Sequence, residues 1–114
     1  MSINTSKLTE VDVLVGTGTS TAGAATVNTQ TGVITTEALA TAAAGTYTFT
    51  LTNSLINANS IINVIVGKGT ATTGGFVPVF CTPVAGSAVI LLQNVTAAAV
   101  NGTVKIFFSV FNLN

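Results

Sequence analysis

Gly45–Asn53, GTYTFTLTN, sets Tyr47, Phe49 and Leu51 in strict alternation with Thr46, Thr48, Thr50 and Thr52. Successive side chains of a strand point to opposite faces, so the rings and Leu51 share one side and the threonines the other. Threonine is β-branched and suits a pleated surface, and its hydroxyl tolerates water. The stretch therefore reads as a half-buried strand of an antiparallel sheet.

Upstream, Val11, Val13 and Val15 alternate with Asp12 and Leu14 and predict a short strand. Gly16–Gly23 (GTGTSTAG) reads as a flexible connection, and Ala24–Thr29 as a weak edge strand. Gln30–Gly32 is expected to turn into a strand at Val33–Thr35. Glu37–Ala44 (EALATAAA) is the only segment with helical propensity, and reads as a single short turn or a loop. Met1–Thr9 is polar and aperiodic, which predicts an N-terminal arm over 1–9 that orders only against a neighbouring subunit or not at all.

Downstream, Ser60–Val66 (SIINVIV) is apolar on both sides and reads as a strand covered on both faces. Gly67–Gly75 reads as a mobile Gly/Thr tip. Phe76–Thr82 holds Pro78, so this strand belongs at an edge or carries a bulge. Pro83–Gly86 is a turn, Ala88–Asn94 a strand, Asn101-Gly102 a hairpin signal, and Thr103–Phe111 the closing strand. Seven or eight short strands without a βαβ rhythm predict one all-β domain over 10–114, an antiparallel β-sandwich that could be wound as a jelly roll. The expected inward set is Tyr47, Phe49, Leu51, Val89, Leu91, Val104, Ile106, Phe108 and Val110.

Hydrophobic residues make up 48% of the chain and charged residues only 5%, with no net charge. Designed soluble domains carry roughly 25–35% charged residues at the surface. Here the ionic side chains are Lys7, Lys68, Lys105, Glu10, Asp12 and Glu37. Hydroxyls and amides must solvate the rest, or other subunits must cover it. A neutral chain without Arg or His has no electrostatic footprint for nucleic acid. No apolar run approaches the ~20 residues of a membrane-spanning helix, and no membrane partner is expected.

No constellation points to catalysis. Glu10 and Asp12 share a strand face but have no histidine or third ligand, so a solvated edge outweighs a metal site. Glu37 is expected to bond within a turn. Cys81 is a packing thiol with nothing beside it in sequence to activate it. GTGTST lacks the lysine and the following helix of a phosphate loop. The Asn4, Asn94 and Asn101 sequons read as chance matches in an Asn/Thr-rich chain. No catalytic, cofactor or metal residue is assigned.

The closing strand carries the interface reading. Val104, Ile106, Phe108 and Val110 fall on one face, and Lys105, Phe107 and Phe111 on the other. Burying one phenylalanine stabilises by roughly 1.5–3 kcal/mol. Either the domain covers both faces, or Phe107, Phe111 and Lys105 meet another subunit; the second reading is favoured.

Four segments in order, Gly32–Glu37 (GVITTE), Thr48–Asn53 (ending in TLTN), Thr82–Ser87 (TPVAGS) and Asn101–Ile106 (NGTVKI), resemble small virion structural proteins of tailed bacteriophages. The resemblance spans about Ala24 to Val110. It implies a non-enzymatic subunit, made in the host cytoplasm and assembled on the virion exterior. The first expectation is a capsid decoration (cement) protein that partners itself, as a homotrimer, and the major capsid protein. A tail-fibre, knob or head-fibre module contacting the host surface is the alternative, and a carbohydrate-binding adhesin domain a third. The last is disfavoured because sugar sites use exposed aromatics and this chain has no Trp and one Tyr.

Overall fold

A computed structural model of the chain describes residues 15–112. The expected arm at 1–9, and with it the Glu10/Asp12 pair, lies outside the described residues. Eight strands are present: β1 (Val15–Thr19), β2 (Ala24–Thr26), β3 (Thr31–Thr35), β4 (Thr46–Thr52), β5 (Ile61–Lys68), β6 (Phe76–Val84), β7 (Ser87–Asn94) and β8 (Val104–Phe111). They form two four-stranded sheets, β1-β3-β8-β5 and β2-β4-β7-β6, packed as a sandwich. The all-β expectation holds.

The chain changes sheet at every connection except β6–β7, which is a hairpin closed by Val84 and Ser87 around Ala85-Gly86. One consequence departs from the expected all-antiparallel pairing. β1 reaches β3 by way of β2 in the opposite sheet, and β2 reaches β4 by way of β3. Both pairs are parallel, as crossover connections permit and hairpins do not. The pairs β3–β8, β4–β7, β5–β8 and β6–β7 are antiparallel.

β4 has the anticipated faces: Phe49 and Leu51 are buried, Tyr47 is half-buried, and Thr46, Thr48 and Thr52 are exposed. β8 also matches, with Val104, Ile106, Phe108 and Val110 in the core. β7 is reversed. Ala88, Ile90 and Leu92 are the inward residues, while Val89 and Leu91 stand on the outer face. The pairing Phe49↔Ile90 fixes this register, because opposed residues share a face.

Several connections also differ. Gly16–Thr19 belongs to β1 rather than a loop. A Cβ on Gly16 would sit 2.7 Å from Val27 Cγ1, so its glycines let this edge approach the segment after β2. Glu37–Ala44 forms no helical turn: Leu39 bridges to Gly102, Val100 N–H donates to Thr41 O, and Ala44 adopts a positive φ of 64°. Asn101-Gly102 does not close a hairpin, because β8 inserts between β3 and β5 in the other sheet. β5 is an edge strand whose outer side chains Ile61, Asn63 and Ile65 are exposed, so it is not covered on both faces. Pro78 lies on an edge strand beside a bulge, meeting both of its expected conditions.

The 69–75 loop is tied down. Asn101 Oδ1 accepts from Thr72 N–H and Thr73 N–H at 2.6 and 3.0 Å, and Thr70 N–H donates to Thr103 Oγ1 at 2.9 Å. The expected mobile tip is therefore fastened to the approach to β8.

Candidate interaction surface

The outer face of the first sheet is built from alternate residues of four strands in register. Thr17 pairs Val33, Val33 pairs Phe107, and Phe107 pairs Ile65, giving one row across the whole sheet. The flanking rows carry Thr19, Thr35, Lys105 and Gly67 on one side and Val15, Thr31, Ser109 and Asn63 on the other. Beyond them Ile61 pairs Phe111. Val15 is 72% exposed, Ile65 67%, Phe111 47% and Phe107 39%.

Parity therefore placed Phe107, Phe111 and Lys105 correctly on the outer side, and the domain does not cover them. The fold contains two layers, and β8 is already flanked by β3 and β5; no third layer lies over the first sheet among the described residues. Sequence reasoning missed Val15, Ile61 and Ile65 as members of the same face. Ser60–Val66 offered no contrast between its two sides from which to find them.

The second sheet has an apolar outer side as well. Val77, Val79, Phe80, Val84 and Val89 are exposed, Phe80 by 66%. Phe80 pairs Leu91, and the bulge between Pro78 and Phe80 sets the local register. Large exposed apolar groups on both outer faces are unusual for a chain that works alone.

The chemistry-bearing side chains lie elsewhere. Glu37 accepts hydrogen bonds from Ser20 Oγ, from Tyr47 Oη at 3.0 Å and from Gly23 N–H at 2.9 Å. Partial burial works to raise its pKa, but the bonds from Ser20, its own backbone, Tyr47 and Gly23 outweigh it and hold the carboxyl below its ordinary value. Burial, opposed by the Ser20 bond and reinforced by Glu37, pushes the Tyr47 phenol up to about 12. The cluster fastens the β1–β2 turn to β4. It corrects the within-turn expectation for Glu37, whose partners come from two other segments.

Cys81 pairs Ile90 on the inner side, and burial pushes its thiol up, away from a reactive thiolate. Among the described residues no three His, Cys, Asp or Glu side chains gather as a metal site. A cleft of about 250 Å³ opens between the strand ends, lined by Val66, Lys68, Ala71, Phe76 and Val104 among others. Its one ionisable lining group is Lys68. No helix among the described residues is long and apolar enough to cross a membrane.

Of the sequons, Asn94 is fully buried and Asn101 donates its Nδ2 to Thr72 Oγ1 while its Oδ1 accepts from Thr72 and Thr73 N–H, so both amides are already engaged in the folded domain. Asn4 lies outside the described residues. No family model, no characterised protein and no solved structure matches this chain.

Proposed function

We propose that this chain is a non-enzymatic structural subunit of a bacteriophage virion, a decoration protein that packs on the outer surface of the head shell. The observation that carries the assembly part is the apolar row of half-buried Val33 and exposed Phe107 and Ile65, extended by exposed Phe111 and Ile61, on a face with Lys105 as its charged residue. Burying such groups against a neighbour stabilises by roughly 25 cal/mol for each Å² removed from water. The second apolar face, around Phe80, suits a subunit with two kinds of neighbour: copies of itself on one side and the major capsid protein on the other. The resemblance of Gly32–Glu37, Thr48–Asn53, Thr82–Ser87 and Asn101–Ile106 to small virion proteins supplies the particle.

Quantitative mass spectrometry of purified particles tests the reading. Copy number that follows the shell protein supports decoration. Copy number on the scale of the tail components moves the chain to a fibre or knob, and absence from particles removes the virion reading.

A further inference from the structure

β5 is the least protected edge of the sandwich. β2 has three residues, β1 has five with two glycines, and β6 carries Pro78, Pro83 and a bulge. β5 runs eight residues in unbroken register along β8, with neither proline nor bulge. Every second residue of an edge strand turns its N–H and C=O away from its only neighbour, and natural edges are normally blunted for that reason. Outside the β8 ladder, the backbone of residues 61–68 makes no hydrogen bond among the described residues. Its inward side chains Ile62, Val64 and Val66 stay half-buried where those of β8 are at most 5% exposed. A further strand would complete both the ladder and the core at this edge.

We propose that residues 8–14 (LTEVDVL) of a second copy of this chain pair along the open edge of β5, adding a fifth strand to the first sheet. The proposal rests on the assembly reading above and names the contact through which copies associate. Three observations select this occupant. In an extended chain Val11 and Val13 share one side, suited to the half-buried Val64 and Val66, while Glu10 and Asp12 share the other. The charges are complementary: Lys105 stands on the outer face beside Gly67, the face that Glu10 and Asp12 would share, Lys68 lies at the same end on the other side, and the segment is acidic without a cation. Glu37 is already engaged by Ser20, Tyr47 and Gly23.

Chain length selects a second copy rather than the same one. The segment runs directly into Val15 at the start of β1. In the order β1-β3-β8-β5 the vacant lane beyond β5 is four strand spacings from β1, about 19 Å at 4.7–4.9 Å each. Crossing it takes about six residues even when fully extended, which leaves only Leu8 of residues 8–14 to pair. Exchange between copies is head-to-tail, and such contacts close into rings, a trimer among them.

The test uses the full chain in two experiments. The charge reversals Glu10→Lys with Asp12→Lys, and separately Lys68→Glu with Lys105→Glu, are each expected to shift the light-scattering mass from oligomer toward monomer at equal concentration. Combining all four is expected to restore the oligomer. In a Cys81→Ser chain, Asp12→Cys joined in turn with Ile61→Cys, Asn63→Cys or Ile65→Cys is expected to give a reducible dimer band for at least one pair, and none with Val77→Cys on β6. An oligomer that persists with no cross-link to β5 overturns the strand exchange and leaves the assembly reading standing. An unmodified chain that is monomeric at the concentrations found on particles overturns both.

Discussion

Tyr47 Oη donates a 3.0 Å hydrogen bond to Glu37 Oε1, joining the only phenol of the chain to the only Asp or Glu side chain among the described residues. Ser20 and Gly23 bond the same carboxylate, so three segments distant in sequence converge on one anion. β2 is only three residues long, with Thr50 N–H bonding Gly23 O and Val27 N–H bonding Thr52 O at its ends, and this junction adds a side-chain anchor to that short ladder.

The junction predicts acid sensitivity. The folded pKa of Glu37 lies below its ordinary value of 4.5. Its contribution to stability is therefore complete above that value and is lost as pH falls through the lower folded one. Tyr47 has the opposite sign: raised to about 12 from 10.0, its contribution is present below 10 and lost as pH rises through 12. Glu37→Gln should flatten the acid limb of a stability–pH profile, since an amide has no proton to gain in this range. Tyr47→Phe should cost about 0.5–1.5 kcal/mol at neutral pH. Denaturant melts from pH 2 to 8 check both; an unchanged acid limb in the Gln variant refutes the junction.

The faces of β4 and β7 predict opposite outcomes for neighbouring residues. Phe49→Ala should cost about 3–5 kcal/mol and Ile90→Ala about 2–5 kcal/mol, because both side chains are fully buried and leave cavities. Val89→Ala, one position away on the outer face, should stay within about 0.5 kcal/mol in the isolated domain. Urea titrations compare the three. A large loss at Val89 with a small one at Ile90 would mean a register shifted by one residue.

Why β7 misleads and β4 does not is a matter of contrast. TYTFTLT alternates apolar with hydroxyl, so period two assigns the faces at once. AVILLQN and SIINVIV are apolar on both sides, and only pairing partners can orient them: Phe49 for β7, Phe107 and Phe108 for β5. The same ambiguity hid Ile61 and Ile65 from the candidate surface, whereas Lys105 and Ser109 marked the outer side of β8. Asn101-Gly102 has local hairpin chemistry, yet its amide serves a loop 28 residues away, which no local pattern reports. EALATAAA has helix propensity, but Leu39 and Thr41 give their backbone groups to Gly102 and Val100 instead. The outward position of Phe107 and Phe111 was legible in the alternation of β8.

Asn94 predicts a stability loss without an apolar cause. Its Nδ2 donates to the carbonyls of Thr41, Ala42 and Ala98 at 3.1, 3.2 and 2.8 Å, and its Oδ1 accepts from Thr96 N–H and Oγ1 at 3.0 and 2.7 Å. The side chain is fully buried and ties the β3–β4 and β7–β8 connections to the end of β7. Asn94→Ala strands these groups, at about 1–3 kcal/mol for each one left unsatisfied. Asn94→Asp should be worse at pH 7, because a buried carboxylate then faces three carbonyl oxygens, and should recover in part when protonated. Thermal melts at pH 7 and pH 4 check the order; an Asp variant as stable as the native chain at pH 7 would contradict the bonding.

Phe107 separates fold from assembly. Its ring leans over Gly67, where an added Cβ would lie 2.5 Å from Cε2, and its backbone pairs with Val33 and Ile65 on either side. The glycine lets the ring lie flat along the sheet, presenting a broad apolar surface rather than a projecting edge. Phe107→Asp removes that surface and asks any contact to desolvate an unpaired charge, which a buried interface resists by several kcal/mol. Gly67→Ala leaves every exposed apolar group in place but forces the ring upward, on a side of the sheet where solvent gives it room to move. Both variants should keep the circular dichroism and cooperative melting of the native chain, because the core depends on Ile106 and Phe108 on the opposite face. Both should lower the light-scattering mass or the occupancy on particles, the aspartate more than the alanine. Loss of cooperative melting in Phe107→Asp would make the ring part of the fold. A folded and fully assembled Gly67→Ala chain alongside a dissociated Phe107→Asp chain would mean that the contact reads the apolar character of the face and not its flatness.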